Sequence, residues 1–191
     1  MTTNEIPMSW DYAKNLIGMC LSKSTLNKYR LFKNQVISNN DSVVNYIIKN
    51  RLNWIKFSKD NQLIIDLKPS GTKLFENIND FKIIGNDFPY NFENNITHVV
   101  VWSKISIPSD PNSKIGDVSL YTKRIIEKYI DKTFIKHFGI QSKNLLWFRN
   151  YPILQSVTEL SHIHILIRDL DEFKIDEIIG NSGLPLEDDD Y

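Results

Sequence analysis

Apolar positions first fall into a helical rhythm at Ser9. Trp10, Ala13, Leu16, Ile17 and Cys20 are spaced by three and four, which places them on one helix face. Ser9 suits the N-cap, and Asp11 suits the first turn, where a negative charge meets the positive end of the helix dipole. Residues 1–7, polar and containing Pro7, read as a loose lead-in. A second helix is expected after Ser24, with Leu26, Tyr29, Phe32, Lys33 and Val36 in the same period, and Asn39-Asn40 breaks it. Asp41 or Ser42 then caps a third, short helix holding Val43, Val44, Tyr46, Ile47 and Ile48. These three helices make an N-terminal helical layer over residues 1–50.

The rhythm changes at Leu52. Leu52–Phe57 and Leu63–Leu67 predict short strands around the polar turn Ser58–Asn61, a hairpin closed by Pro69-Ser70-Gly71. Residues 72–80 fit neither period. Phe81–Ile84 predicts a strand, and Gly85 through Tyr90 predicts a shaped loop, because Gly, Asn, Asp and Pro all favour turn conformations. Ile96–Lys104 is β-branched, aromatic and uninterrupted. Its run Val99-Val100-Val101-Trp102 predicts a central strand covered on both faces.

Residues 106–117 carry Pro108, Asp110-Pro111 and Gly116-Asp117 and predict a surface loop. A helix over 119–137 follows from Ile125, Ile126, Tyr129, Ile130, Phe134 and Ile135, and Gly139 ends it. Asn144–Arg149 and Ser161–Arg168 predict two more strands, and Leu170–Ile179 a last helix. The acidic end over 181–191 is expected to be flexible. The whole chain, 1–191, therefore predicts a single α+β domain. It has a mostly antiparallel sheet with packed helices in an α+β core over 51–180, beneath the N-terminal layer.

Composition narrows the possibilities. A chain of 191 residues can bury a core without a disulfide or metal. Lysine plus arginine and aspartate plus glutamate number 23 each, so the positive excess of a general nucleic-acid binder is missing. The single cysteine, Cys20, forms no intramolecular disulfide and reads as core packing. No apolar run approaches the ~20 residues of a membrane span, and the start lacks the pattern of a secretory signal. The expected location is the cytoplasm, with the nucleus also open to it.

The candidate chemistry centres on His162-Ile163-His164-Ile165-Leu166-Ile167. On a strand, Ile163, Ile165 and Ile167 share one face, while His162, His164 and Leu166 share the other. Packing does not require two neighbouring imidazoles, and a neutral imidazole can be a nucleophile, an acid–base group or a ligand. The spacing matches no zinc pattern, and no metal or cofactor is expected. Gln155 and Ser156 offer donors just upstream, and Arg149 a charge suited to phosphate or carboxylate. His98, Trp102 and Lys104 share a face of the strand 96–104 and can line the same pocket, with Asn86-Asp87-Phe88-Pro89-Tyr90 covering it. No P-loop, dinucleotide fingerprint, GxSxG elbow or CxxC motif is present.

Taken in order, Asn86 to Tyr90, Ile96 to Lys104, Leu146 to Asn150 and Leu154 to Val157 followed by His162-Ile163-His164 resemble the fungal family of N-acetylglucosamine-induced proteins. Leu26–Trp54 resembles that family's N-terminal helical portion. The resemblance implies a cytoplasmic protein linked to amino-sugar metabolism or its response, and the pocket residues add the expectation of a phosphorylated sugar or nucleotide as its small-molecule partner. It also leaves room for a non-catalytic regulatory protein.

A more remote resemblance is to histidine-triad nucleotide hydrolases and transferases, which share the order of strand, helix, strand with Asn, Gln-Ser-Val and His-x-His. It implies a histidine-triad-like fold and phosphoester chemistry. His164 would be the nucleophile, His162 its support, and Gln155 and Ser156 phosphate-side contacts, with Asn150 a further ligand-binding candidate. Two departures stand out. Three extra residues follow Val157, and the third histidine position is Leu166, which cannot hydrogen-bond.

Overall fold

The structure, a computed structural model, describes residues 3, 5–15 and 20–191. Its centre is a four-stranded antiparallel sheet of β3 (Phe81–Gly85), β4 (Ile96–Ser103), β5 (Leu145–Phe148) and β6 (Ser161–Arg168), in the order β3-β4-β6-β5. The two long strands, β4 and β6, are the central pair and are buried along nearly their whole length. The expected α+β class and antiparallel sheet are both present.

Period-two alternation sorts the sheet into two faces. Ile83, Val99, Val101, Ile163, Ile165 and Ile167 form the larger core, where α4 (Leu120–Ile130) adds Ile125, Ile126, Tyr129 and Ile130. Phe75 stacks on Tyr129 at 4.0 Å between ring centres and closes that core from the far side. The opposite face carries the polar rings. It lies beneath the N-terminal layer of α1 (Trp10–Ala13), α2 (Lys23–Ser38) and α3 (Val43–Tyr46), together with the hairpin β1 (Ile55–Phe57) and β2 (Leu63–Ile65).

Local chemistry sets most boundaries. Ser9, Ser22, Ser42 and Ser119 accept backbone N–H groups at the N-termini of α1, α2, α3 and α4. The second helix thus starts at Ser22 rather than after Ser24. The first spans only four residues, and Leu16 and Ile17, expected on its apolar face, lie outside the described residues.

Leu52 was expected to open a strand but instead ends a π-helical turn, Ile47–Leu52, that continues α3. Asn53 stops that turn with φ of 54°, a left-handed conformation that Asn tolerates well. A second π-helical turn, Asp131–His137, continues α4 before Gly139 at φ of 70°.

The acidic end also differs from the expectation of a flexible tail. After α5 (Glu172–Ile178), Leu186 is buried in the main core and its N–H donates to the Phe75 carbonyl at 2.8 Å. Tyr191 Oη donates to the Leu74 carbonyl at 2.7 Å, and Lys132 pairs with Glu187 and Asp190. One apolar side chain and a set of cations across the groove hold a segment that composition alone marks as solvated. Among the described residues no helix is long and apolar enough to cross a membrane.

Candidate functional site

The alternation that buries Ile163, Ile165 and Ile167 turns His162, His164 and Leu166 toward the N-terminal layer. Strand β4 presents His98, Val100 and Trp102 to the same side, in register with Leu166, His164 and His162 respectively. Three imidazoles and an indole therefore share one sheet face. A cleft of about 900 Å³ opens above it, within the size range of small-molecule sites.

His98 and His164 form a pair. Nε2 of His98 lies 2.9 Å from Nδ1 of His164. The other nitrogen of His164, Nε2, is 3.2 Å from the Asn150 amide, which also donates to Tyr90 Oη at 2.9 Å. The rings are fixed from the sides as well. Phe148 stacks on His164 with 7° between planes, and Tyr90 stacks on His98 at 5.4 Å. Gln155 lies behind this group and donates to the Asn150 carbonyl at 2.7 Å, fixing the strand exit that carries Asn150.

Burial disfavours the charged imidazolium and takes His98 down to about 3. It also lowers His164 well below the usual range, helped by the neighbouring rings of His98 and His162. Both are neutral at physiological pH.

His162 is placed differently. Its Nδ1 faces the Leu160 carbonyl at 3.0 Å, and its ring lies 4.4 Å from Trp102. Burial lowers its basicity, opposed by the Leu160 bond, and the positive charge of Arg149 lowers it further.

Arg149, just past β5, is half-buried on the cleft wall. It donates to Ser109 Oγ at 3.3 Å and to the Gly116 carbonyl at 3.2 Å, yet pairs with no carboxylate among the described residues. Burial makes its charge costly and lowers its affinity for the proton, while Asp117 pulls the other way. A cation held in place by neutral oxygens keeps donors free for an anion.

Of the residues expected at the site, Asn86, Asp87, Trp102, Arg149, Asn150, Ser156, His162 and His164 line the cleft together. His98, Lys104 and Gln155 do not. His98 sits beneath the rings that do, and Gln155 acts through Asn150. Lys104 lies over the Trp54 ring at 5.3 Å, outside the cleft, because it follows the end of β4 beside the hairpin. Asp87 pairs with Arg51 at 2.8 Å, and its carboxyl is raised by burial against the pull of that guanidinium.

Sequence reasoning missed the part of the cleft's outer wall that α2 supplies. Phe88 packs edge-on against Tyr29 at 5.1 Å and lies 5.2 Å from Phe32, both on α2. Those two rings fell on the apolar stripe of a helix, where nothing distinguishes a cleft wall from core. Lys123, paired with Asp117 at 2.6 Å near Arg149, was hidden in the same way in the pattern of α4. No group of three or more His, Cys, Asp or Glu among the described residues is placed to hold a metal ion.

Residues 13–168 match the family described as "Protein of unknown function (DUF3605)". N-acetylglucosamine-induced protein 1 of Candida albicans is 39% identical over 178 residues, which covers 89% of this chain and 70% of that protein. An uncharacterized protein of Saccharomyces cerevisiae is 30% identical over 102 residues, 53% of this chain and 50% of its own length. The crystal structure of HTC1 superposes with a TM-score of 0.72 at 24% identity, covering 94% of this chain and 99% of that one. The fold is therefore shared with a solved protein.

Proposed function

The chain belongs to the DUF3605 family, and on that premise we propose that it binds a small phosphorylated sugar or nucleotide sugar in the cleft above the histidine face. The observation that carries this reading is Arg149, a half-buried cation on the cleft wall without a carboxylate partner among the described residues. An anionic group is the natural complement of such a cation. The aromatic rings of Phe88, Tyr90 and Trp102 supply flat apolar surface for a sugar or base. The Candida albicans relative is named for induction by N-acetylglucosamine, which favours an amino-sugar derivative and a role in the response to it.

The test is a thermal-shift and calorimetric series with UDP-N-acetylglucosamine, N-acetylglucosamine 6-phosphate and unphosphorylated N-acetylglucosamine. A ligand bound only by the folded state raises its stability. The phosphorylated compounds are expected to raise the melting temperature and the neutral sugar to leave it unchanged. Arg149→Gln is expected to abolish the difference. No shift with either phosphorylated compound overturns the reading.

Phosphoester transfer through His164 finds less support. Both nitrogens of that ring are already engaged, by His98 and by Asn150.

A further inference from the structure

We propose that His162, rather than His164, is the imidazole that meets the ligand, and that its Nε2 accepts a hydrogen bond from a hydroxyl or amide N–H set beside the ligand's anionic group. This rests on the binding reading above and narrows the ligand to one that carries a donor next to its charge.

The argument begins with a carbonyl. Nδ1 of His162 lies 3.0 Å from the Leu160 backbone oxygen. A carbonyl oxygen can only accept, so the proton of this contact belongs to Nδ1. A neutral imidazole protonated at Nδ1 has its lone pair at Nε2.

Nε2 has no hydrogen-bond partner among the described residues. The nitrogens that are both sealed from solvent and unpartnered are those of Trp10, Arg51, Trp102 and Arg168. His162 Nε2 is not one of them, and its side chain lines the cleft. Nε2 is therefore not sealed, on a side chain that is 6% exposed and lines the cleft. The ring cannot easily turn away, because Leu160 holds one nitrogen and the Trp102 indole lies 4.4 Å from its centre.

Charge supports the same assignment. His162 stays neutral beside Arg149, whose positive field opposes a second cation. The two groups thus divide the work. Arg149 presents donors to an anion, and His162 presents an acceptor to a donor. An anion without hydroxyl or amide hydrogens satisfies only the first. A sugar phosphate satisfies both. His164 and His98 use their facing nitrogens on each other, across the β4–β6 register.

The test is long-range ¹H–¹⁵N NMR of the histidine rings, titrated with N-acetylglucosamine 6-phosphate. Signals are assigned by their loss in His162→Gln and His164→Gln, and calorimetry runs alongside. Without ligand, His162 is expected as the neutral Nδ1–H tautomer. On binding, its Nε2 resonance is expected to move as an accepting nitrogen does while the ring stays neutral. His162→Phe is expected to weaken binding about ten-fold, the loss of one hydrogen bond.

Binding with an unmoved His162 Nε2 overturns the inference and leaves the anion site standing. Binding that converts His162 to imidazolium also overturns it, since the ring would then pair with the anion as a cation. No binding of this compound or of UDP-N-acetylglucosamine overturns the reading on which both rest.

Discussion

Nε2 of His98 lies 2.9 Å from Nδ1 of His164, a contact that crosses diagonally between β4 and β6. A single proton lies between two buried neutral rings, and Asn86 Nδ2 lies 3.3 Å from each ring nitrogen of His98. His98→Phe keeps the stacking surface beneath Tyr90 but removes the partner of His164 Nδ1. We expect a loss of about 1–3 kcal/mol, the usual penalty for leaving a buried polar atom unpaired. Urea unfolding measures it. The double variant His98→Phe/His164→Phe should lose less than the sum of the two single variants. Strict additivity would mean the two rings do not interact.

The same burial makes stability depend on pH. His98, His162 and His164 all have lowered pKa values in the fold, His98 to about 3, against 6.5 for a free imidazole. Below the unfolded value the unfolded chain holds more protons than the folded one, so stability falls as pH falls. The slope should approach about 1.4 kcal/mol per pH unit for each such histidine once the pH is well below 6.5. Unfolding midpoints at pH 7.5, 6.5 and 5.5 check the sign. A stability that is flat across that window, above the range of ordinary carboxylates, would contradict the burial of these rings.

Much of this site was legible from the chain. Alternation in His162 to Ile167 fixed which residues share a face, because successive side chains of a strand point to opposite sides of the sheet. What alternation cannot supply is the partner across the sheet. That His98 meets His164 is a property of the β4–β6 register, set by packing 66 residues apart in sequence. The π-helical turns at Ile47–Leu52 and Asp131–His137 were equally hidden. Their residues keep helical spacing, and only the backbone bonding changes. Lys104 was misplaced for a different reason. Its parity along β4 is right, but β4 ends at Ser103, and beyond the end alternation no longer directs a side chain.

The docked acidic end gives a third prediction. Leu186 is 3% exposed within the main core. Leu186→Ala should lose about 2–5 kcal/mol, as core leucine truncations do. The turn leading to it depends on Gly183, at φ of 72°, where an added Cβ would clash with the Thr133 side chain. Gly183→Ala should therefore release the same segment, read by hydrogen exchange at the Leu186 amide. Fast exchange of that amide in the unaltered protein would show that the segment is not held.

Asp80 offers the last prediction, on a segment whose sequence fits neither helix nor strand. It is 1% exposed, and its carboxylate accepts the Ser70 N–H at 2.8 Å and the Gly71 N–H at 2.7 Å. Its own carbonyl accepts the Lys104 N–H at 2.7 Å. One residue thus ties the turn after β2, through its side chain, to the end of β4, through its backbone. Hydrogen bonds to an ionised acceptor are stronger than neutral ones and are costly to lose when buried. Asp80→Asn keeps the shape but replaces one oxygen with an amide whose hydrogens would face backbone N–H groups. We expect a loss of roughly 1.5–3 kcal/mol in urea unfolding, with faster proteolytic nicking between Lys68 and Lys73. Cleavage there should rise more than cleavage elsewhere, because the cost is local to the turn. A change within about 0.5 kcal/mol, the range of an ordinary surface substitution, would mean that water already satisfies those amides.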